Sequence, residues 1–166
     1  MTRELIIMRG LPGSGKTTWA HKHYPKAPKC SADHFHEIAL EDGSTEYRFN
    51  PAKQGEAHAQ CLSNALMAMQ RNCDEVIVVD NTHIHNWEFR HYIVAGKALG
   101  YSITIVESVP TTLHFGRLCA ERCTHGVPSS VIANMAFEWE KIDAAILSLG
   151  GILVCAMELD THHPVA

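Results

Sequence analysis

The 166-residue chain is 46% apolar and 19% charged, with a formal net charge of −4. That balance describes an ordinary globular domain and excludes a disordered chain or a repeat array, and no apolar run approaches the roughly 18 residues of a membrane span. The acidic excess excludes a surface that grips long duplexes through their phosphates, so a nucleic-acid partner would be held in a local pocket or by one end.

Taken in order, "ELIIMR" (4–9) reads as a short buried parallel strand. A glycine-rich loop follows, and then a helix in "KTTWAHKHY" that Pro25 stops. "PKCSADHF" (28–35) contains a second short strand ending near Asp33, and residues 41–51 read as an exposed, turn-rich excursion. His58, Cys61, Leu62, Ala65, Leu66 and Met69 recur at helical spacing, which predicts an amphipathic helix over 52–71. "EVIVVD" (75–80) is an apolar strand that ends in a carboxylate. A helix over 86–100 has Asn86 as candidate cap and Gly100 as candidate stop. A fourth strand (101–108), a helix (112–122), the loop "CTHGVP", a helix over 129–142 and a last strand over 150–159 complete the chain. Residues 1–160 read as one domain with a candidate lid at 123–128, and 161–166 as a polar tail.

Strand and helix alternate from end to end, the pattern of an α/β fold with a parallel sheet and right-handed crossovers. The start of the chain does not read as a signal peptide, and the six scattered cysteines include no C-x-x-C, so a cytoplasmic protein with reduced thiols is expected. Cys119, Cys123 and His125 lack a fourth ligand at a zinc-finger spacing.

Gly10 to Thr17, "GLPGSGKT", matches G-x-x-x-x-G-K-[ST] without a gap, with a strand before it and a helix after. The motif specifies a three-layer P-loop NTPase fold with about five parallel strands and helices on both faces. Gly10, Gly13, Ser14 and Gly15 let backbone N–H groups converge on a β-phosphate, and the helix N-terminus adds partial positive charge. Lys16 then meets the β- and γ-phosphates, Thr17 ligates Mg²⁺ and Thr18 contacts the α-phosphate. ATP and Mg²⁺ are the expected cofactors.

In an open α/β sheet the ligand crevice lies past the carboxyl ends of the strands. Asp80, after four apolar residues, fits a Walker B carboxylate on the metal. Asp33 fits two roles equally by spacing: a cap for a following helix, or a general base for an incoming hydroxyl. Arg122, beside the glycine-containing loop, is the best-placed cation for a transferred phosphoryl. Arg117 lies well round the same helix.

Taken together, "MRGLPGSGKTTWA", "SADHF", "YRFNP", "VIVVDNTHIHNWEFRHYIVAGKALGY" and "ERCTHGVPSSVIANM" resemble P-loop kinases of the polynucleotide kinase type. These include the phage polynucleotide 5′-kinase domain and the kinase-like domain of the Nedd4-binding proteins, and the resemblance spans about residues 4–140. It implies that Asp33 activates a 5′-hydroxyl, that Asp80 belongs near metal and acceptor, and that an arginine of the lid, matched by Arg122, stabilises the moving phosphoryl. Two positions depart from it: His36 stands where the phage enzyme has a phosphate-clamping arginine, and His125 where its lid has an arginine before the glycine. A neutral imidazole grips phosphate more weakly than a guanidinium.

Tyr47, Arg48 and Phe49 are read as acceptor contacts, with an aromatic stacked on a base and Arg48 on its phosphate, or else as anchors of a loop on the core. His83 and His85 are candidates for the same wall, while Trp87 is expected to pack in the core. The resulting expectation is an ATP-dependent kinase whose acceptor is the 5′-hydroxyl end of a polynucleotide. The alternatives are a kinase of a small metabolite or nucleoside, and a nucleotide-binding module without catalysis.

Overall fold

Leu5, Ile6, Ile7 and Met8 have no exposed surface, as expected of a strand with layers on both faces. The computed structural model describes residues 3–71, 73–110 and 113–157, for 113 and 114 the backbone alone; the polar tail at 161–166 lies outside them. This first strand, β1 (Glu4–Gly10), leads through the loop into α1 (Lys16–His23). The next strand, β2, is only Lys29–Cys30, shorter than expected. Ser31 ends it by turning its hydroxyl to accept from the Asp33 N–H at 3.2 Å, which starts a 3₁₀ turn over Ala32–His36. Asp33 therefore lies three residues past the strand.

The excursion before the long helix is not irregular throughout. It contains an antiparallel hairpin of β3 (Glu37–Ala39) and β4 (Thr45–Tyr47), with Gly43 in its turn at a φ of 82°. A 3₁₀ turn over Pro51–Lys53 then enters α2 (Gln54–Arg71), which buries Ala57, Cys61, Ala65 and Met69 along one stripe. Strand β5 (Val76–Asp80), helix α3 (Asn86–Ala98) and strand β6 (Ser102–Ser108) follow. His85, not Asn86, is the N-cap of α3; its N–H donates to the Glu88 carboxylate at 2.8 Å. Asn86 is instead buried, donating to the Glu140 carboxylate and the Lys141 carbonyl.

Past α4 (Leu113–Arg122), the expected helix over 129–142 is shorter: α5 ends at Phe137. A single turn, α6 (Ala144–Leu147), and β7 (Ile152–Ala156) close the chain. Apart from the hairpin, the described strands form a five-stranded parallel sheet in the order β2-β5-β1-β6-β7. Leu5 and Ile7 pack with α2 and α3 on one face, and Ile6 and Met8 with α1 on the other. Register brings Met8 opposite Asp80 and Gly10 opposite Ser108, so the loop leaves the sheet beside the carboxylate end of β5. No helix among the described residues is long and apolar enough to cross a membrane.

One side chain interrupts this apolar interior. Arg9 has no exposed surface and lies between the rings of Phe89 and Trp139, 4.6 and 4.5 Å from their centroids. Its guanidinium pairs with Glu107 at 2.8 Å and donates to the carbonyls of His83, Ile84 and Glu140. Burial pulls its pKa below the usual arginine value, and Glu107 opposes that shift.

His83 completes the knot at a φ of 49°. Its Nδ1 faces the Met8 carbonyl at 2.8 Å, so Nδ1 carries the proton and donates. Nε2 is then an acceptor, buried with no partner among the described residues. Burial drives this imidazole down to about 3.

Two outcomes are expected. Arg9→Met leaves Glu107 and three carbonyls without their donor and lowers the unfolding free energy by about 3–5 kcal/mol, read from urea midpoints. Because His83 stays neutral when folded and takes a proton when unfolded, its stability contribution is complete above about pH 6.5 and is lost as pH falls towards about 3. His83→Asn tolerates positive φ, keeps a donor for the Met8 carbonyl and should flatten that decline in pH-dependent unfolding.

Candidate active site

The phosphate loop is shaped by two glycines with different constraints. At Gly13 the φ is 77°, and a Cβ would lie 2.0 Å from the Cys119 carbonyl oxygen of α4, so only glycine lets the two backbones touch. At Gly15 the φ is 86° but a Cβ would meet nothing within 4 Å, so the requirement is conformational. Gly15 caps α1, which has no side-chain cap and no acidic residue in its first turn. The first N–H groups of that helix are thus left to a ligand, the usual arrangement for binding an anion.

Lys16 is buried, and its ammonium donates to the Leu11 carbonyl at 2.9 Å, curled along its own loop. Burial lowers its pKa, while Asp80 and then Asp33 oppose that by favouring the charged form. Both carboxylates are thus near enough to favour the charged form of Lys16. Thr17 donates its hydroxyl to Asp80 Oδ2 at 2.6 Å. Asp80 Oδ1 is buried with no partner among the described residues, as is Ser14 Oγ. A buried carboxylate oxygen without a donor is costly, and a hard cation between Asp80 and the Thr17 hydroxyl would satisfy it. Thr18 is exposed at the start of α1.

Asp33 stands opposite on its 3₁₀ turn, with its side chain 49% exposed. Asn81, directly after Asp80, holds that turn in place: its Oδ1 accepts from the Ala32 N–H at 2.9 Å, and its amide donates to Cys61 Sγ. Tyr47 donates its hydroxyl to Asp33 Oδ1 at 3.1 Å. Burial, and next the charge of Asp33, push the phenol up, so it remains a donor. His125 brings Nε2 to 3.9 Å from Asp33 Oδ2, and its ring lies 4.8 Å from that of Tyr47. The hairpin and the 123–128 loop thus meet over Asp33.

Arg122 ends α4, half-buried, with no hydrogen-bond or ion-pair partner among the described residues. Burial pushes the Cys119 thiol up to about 11, and the charges of Lys16 and then Arg122 oppose this. Both cations therefore flank the point where α4 touches the loop. Arg117 is exposed.

Among the described residues, no hydrogen bond or ion pair joins the other expected acceptor contacts to the Asp33 side chain. His36 is 4% exposed, shares a 3.4 Å contact with the Gln54 amide oxygen and packs edge-on against Phe35, Tyr47 and Phe49. It is a wall rather than a clamp. Arg48 is exposed and paired with Glu46 at 2.6 Å. His83 turns into the core, and His85 pairs with Glu140 at 3.2 Å. Trp87, expected in the core, is 69% exposed and stacks on His85.

Sequence reasoning missed Arg9 and Asn81, each adjacent to a residue it did single out. A charged residue inside an apolar strand was the available signal for Arg9.

The profile of the AAA domain family matches residues 5–141. Human NEDD4-binding protein 2 is 27% identical over 140 residues, which are 82% of this chain but only 8% of that protein's length. A gluconokinase from Sinorhizobium meliloti 1021 is similar at a TM-score of 0.55, covering 97% of this chain and 84% of its own at 14% identity. Kti12 from Chaetomium thermophilum, solved with ADP-AlF3, is similar at 0.56, covering 95% and 91% at 16% identity. These structural likenesses show the P-loop kinase-like fold. With the family match spanning the phosphate loop, both carboxylates and the lid, the chain belongs to the AAA domain family.

Proposed function

We propose that this domain is an ATP- and Mg²⁺-dependent phosphotransferase that moves the γ-phosphoryl of ATP to a hydroxyl, the 5′-hydroxyl end of a polynucleotide. The observation that carries the reading is Asp33: a half-exposed carboxylate, held by Tyr47, whose charge favours the charged form of Lys16. A domain that only binds nucleotide has no use for a base presented there.

In this reading the acceptor oxygen attacks the γ-phosphorus and its proton passes to Asp33. The bond from that phosphorus to the bridging oxygen breaks, and ADP leaves with the electron pair. Lys16 and the amides at the start of α1 hold the phosphates; Arg122 stabilises charge on the group in transfer. Thr17 and Asp80 would hold Mg²⁺, which screens phosphate charge when bound. Tyr47 orients the Asp33 carboxylate and keeps it an acceptor.

The polynucleotide acceptor is supported by the resemblance of the ordered motifs. A second reading, a small polyhydroxy acceptor, is favoured by one observation: His36 is buried and offers no clamp for an acceptor's own phosphate. Gluconokinase is among the structures with this fold.

Transfer of label from γ-labelled ATP to 5′-hydroxyl oligonucleotides and to a panel of nucleosides and sugars separates these readings. Label on oligonucleotides supports the first, and label confined to the sugars sinks it. Asp33→Asn should retain ATP affinity by calorimetry while kcat falls about 10²–10⁴-fold; full activity would exclude Asp33 as the base. Tyr47→Phe should lower kcat about tenfold, the scale of one hydrogen bond to a charged group, with little change in the KM for ATP.

A further inference from the structure

Beyond Tyr47 a second concavity of about 470 Å³ opens between the hairpin and the turn that enters α2, lined in part by Phe35, His36, Arg48, Phe49, Asn50 and Lys53. One buried side chain, His36, separates it from Tyr47 and the candidate active site. The ring of His36 lies 5.9 Å from that of Tyr47, which holds Asp33, and 5.1 Å from that of Phe49, inside the concavity.

The lining is chemically one-sided. Phe49 is 54% exposed, an aromatic face with no core to cover it. Two cations flank it and no carboxylate lines it. Lys53 has no ion-pair partner among the described residues. Arg48 is held by Glu46, but both side chains of that pair are well exposed, at 60% and 44%. Exposed ion pairs are weak, so an incoming phosphate can take the guanidinium. An aromatic platform beside two cations fits a base and its phosphate. A sugar alone would need carboxylates or amides in number, and a free phosphate has no use for the ring.

We propose that this groove binds the second nucleotide of a single-stranded acceptor, its base stacked on Phe49 and its phosphate between Arg48 and Lys53. The inference rests on the phosphotransferase reading above and names the acceptor more closely: a strand of at least two nucleotides with an unstacked end. A base held inside a duplex does not present its face to Phe49. Length recognition therefore lies in the segment from Arg48 to Lys53 that follows the hairpin, apart from the transfer chemistry at Asp33.

The test is a length series of 5′-hydroxyl oligothymidylates, from the nucleoside 3′-phosphate to the tetranucleotide, with oligouridylates alongside. KM should fall about tenfold between the mononucleotide and the dinucleotide, the scale of one base–aromatic stack. Phe49→Ala should erase that step and Phe49→Trp restore it; Lys53→Gln should weaken its dependence on salt. Anisotropy of a labelled tetrathymidylate on Asp33→Asn protein reads binding without turnover. Phe49-dependent binding with no acceptor phosphorylated would keep the groove and sink the phosphotransferase reading. Phosphorylation indifferent to length and to Phe49→Ala would overturn the groove and leave the reaction standing. A folded Phe49→Ala protein that binds the tetranucleotide as the parent does would also overturn it.

Discussion

Arg9 stands one residue before the phosphate loop, directly after the apolar run Leu5 to Met8 of its strand. Its guanidinium has no water to retreat to, so every donor must be answered within the fold. The answers come from four places: the carboxylate of Glu107 on β6, the carbonyls of His83 and Ile84 after β5, the carbonyl of Glu140 beyond α5, and the two rings that sandwich it. Each of these segments borders the crevice. A buried ion pair of this kind adds little net stability relative to a packed apolar core. What it adds is linkage between those segments, because one guanidinium answers four acceptors and two rings at once.

On that frame the charges of the site are set against one another. Lys16 is buried among two carboxylates and its own loop carbonyl. Asp80 spends one oxygen on Thr17 and keeps the other unsatisfied. These are the features of a cradle whose electrostatics are completed by a polyanion and a hard cation together, since either alone would leave charge uncompensated in a poorly solvated place. The close contact of Gly13 with the Cys119 carbonyl carries this arrangement to α4, so that Arg122 ends its helix beside the loop.

The surroundings of Asp33 are built differently, from short elements that follow the edge strand β2. Asn81 fixes the turn of Asp33 to the end of β5, and the hairpin then reaches over it through Tyr47. His36 and His125 occupy positions where the resembled phage enzyme carries arginines. The first is buried as a wall and the second rests against Tyr47 over Asp33. Arg48 and Lys53 are the cations that line the proposed groove beyond Tyr47.

The phosphate loop, the five parallel strands and the amphipathic stripe of α2 were legible in the residues, because each rests on local rules: glycine conformation, apolar runs and the 3.6-residue period. The roles of Asp33 and Tyr47 were only partly legible. Spacing left Asp33 equally fit to cap a helix, and in the structure Ser31 does the capping while Asp33 meets a tyrosine 14 residues away. Trp87, expected in the core, is exposed, and nothing local showed that His36 is buried. Their burial depends on which neighbours the hairpin and the segment beyond α5 bring, and no local pattern encodes that. The sequence by itself determined a phosphate-binding α/β domain. Only the tertiary structure decided which side chains face Asp33 and what surrounds Arg9, because those contacts join residues as much as 131 positions apart and exist only once the strands are in register.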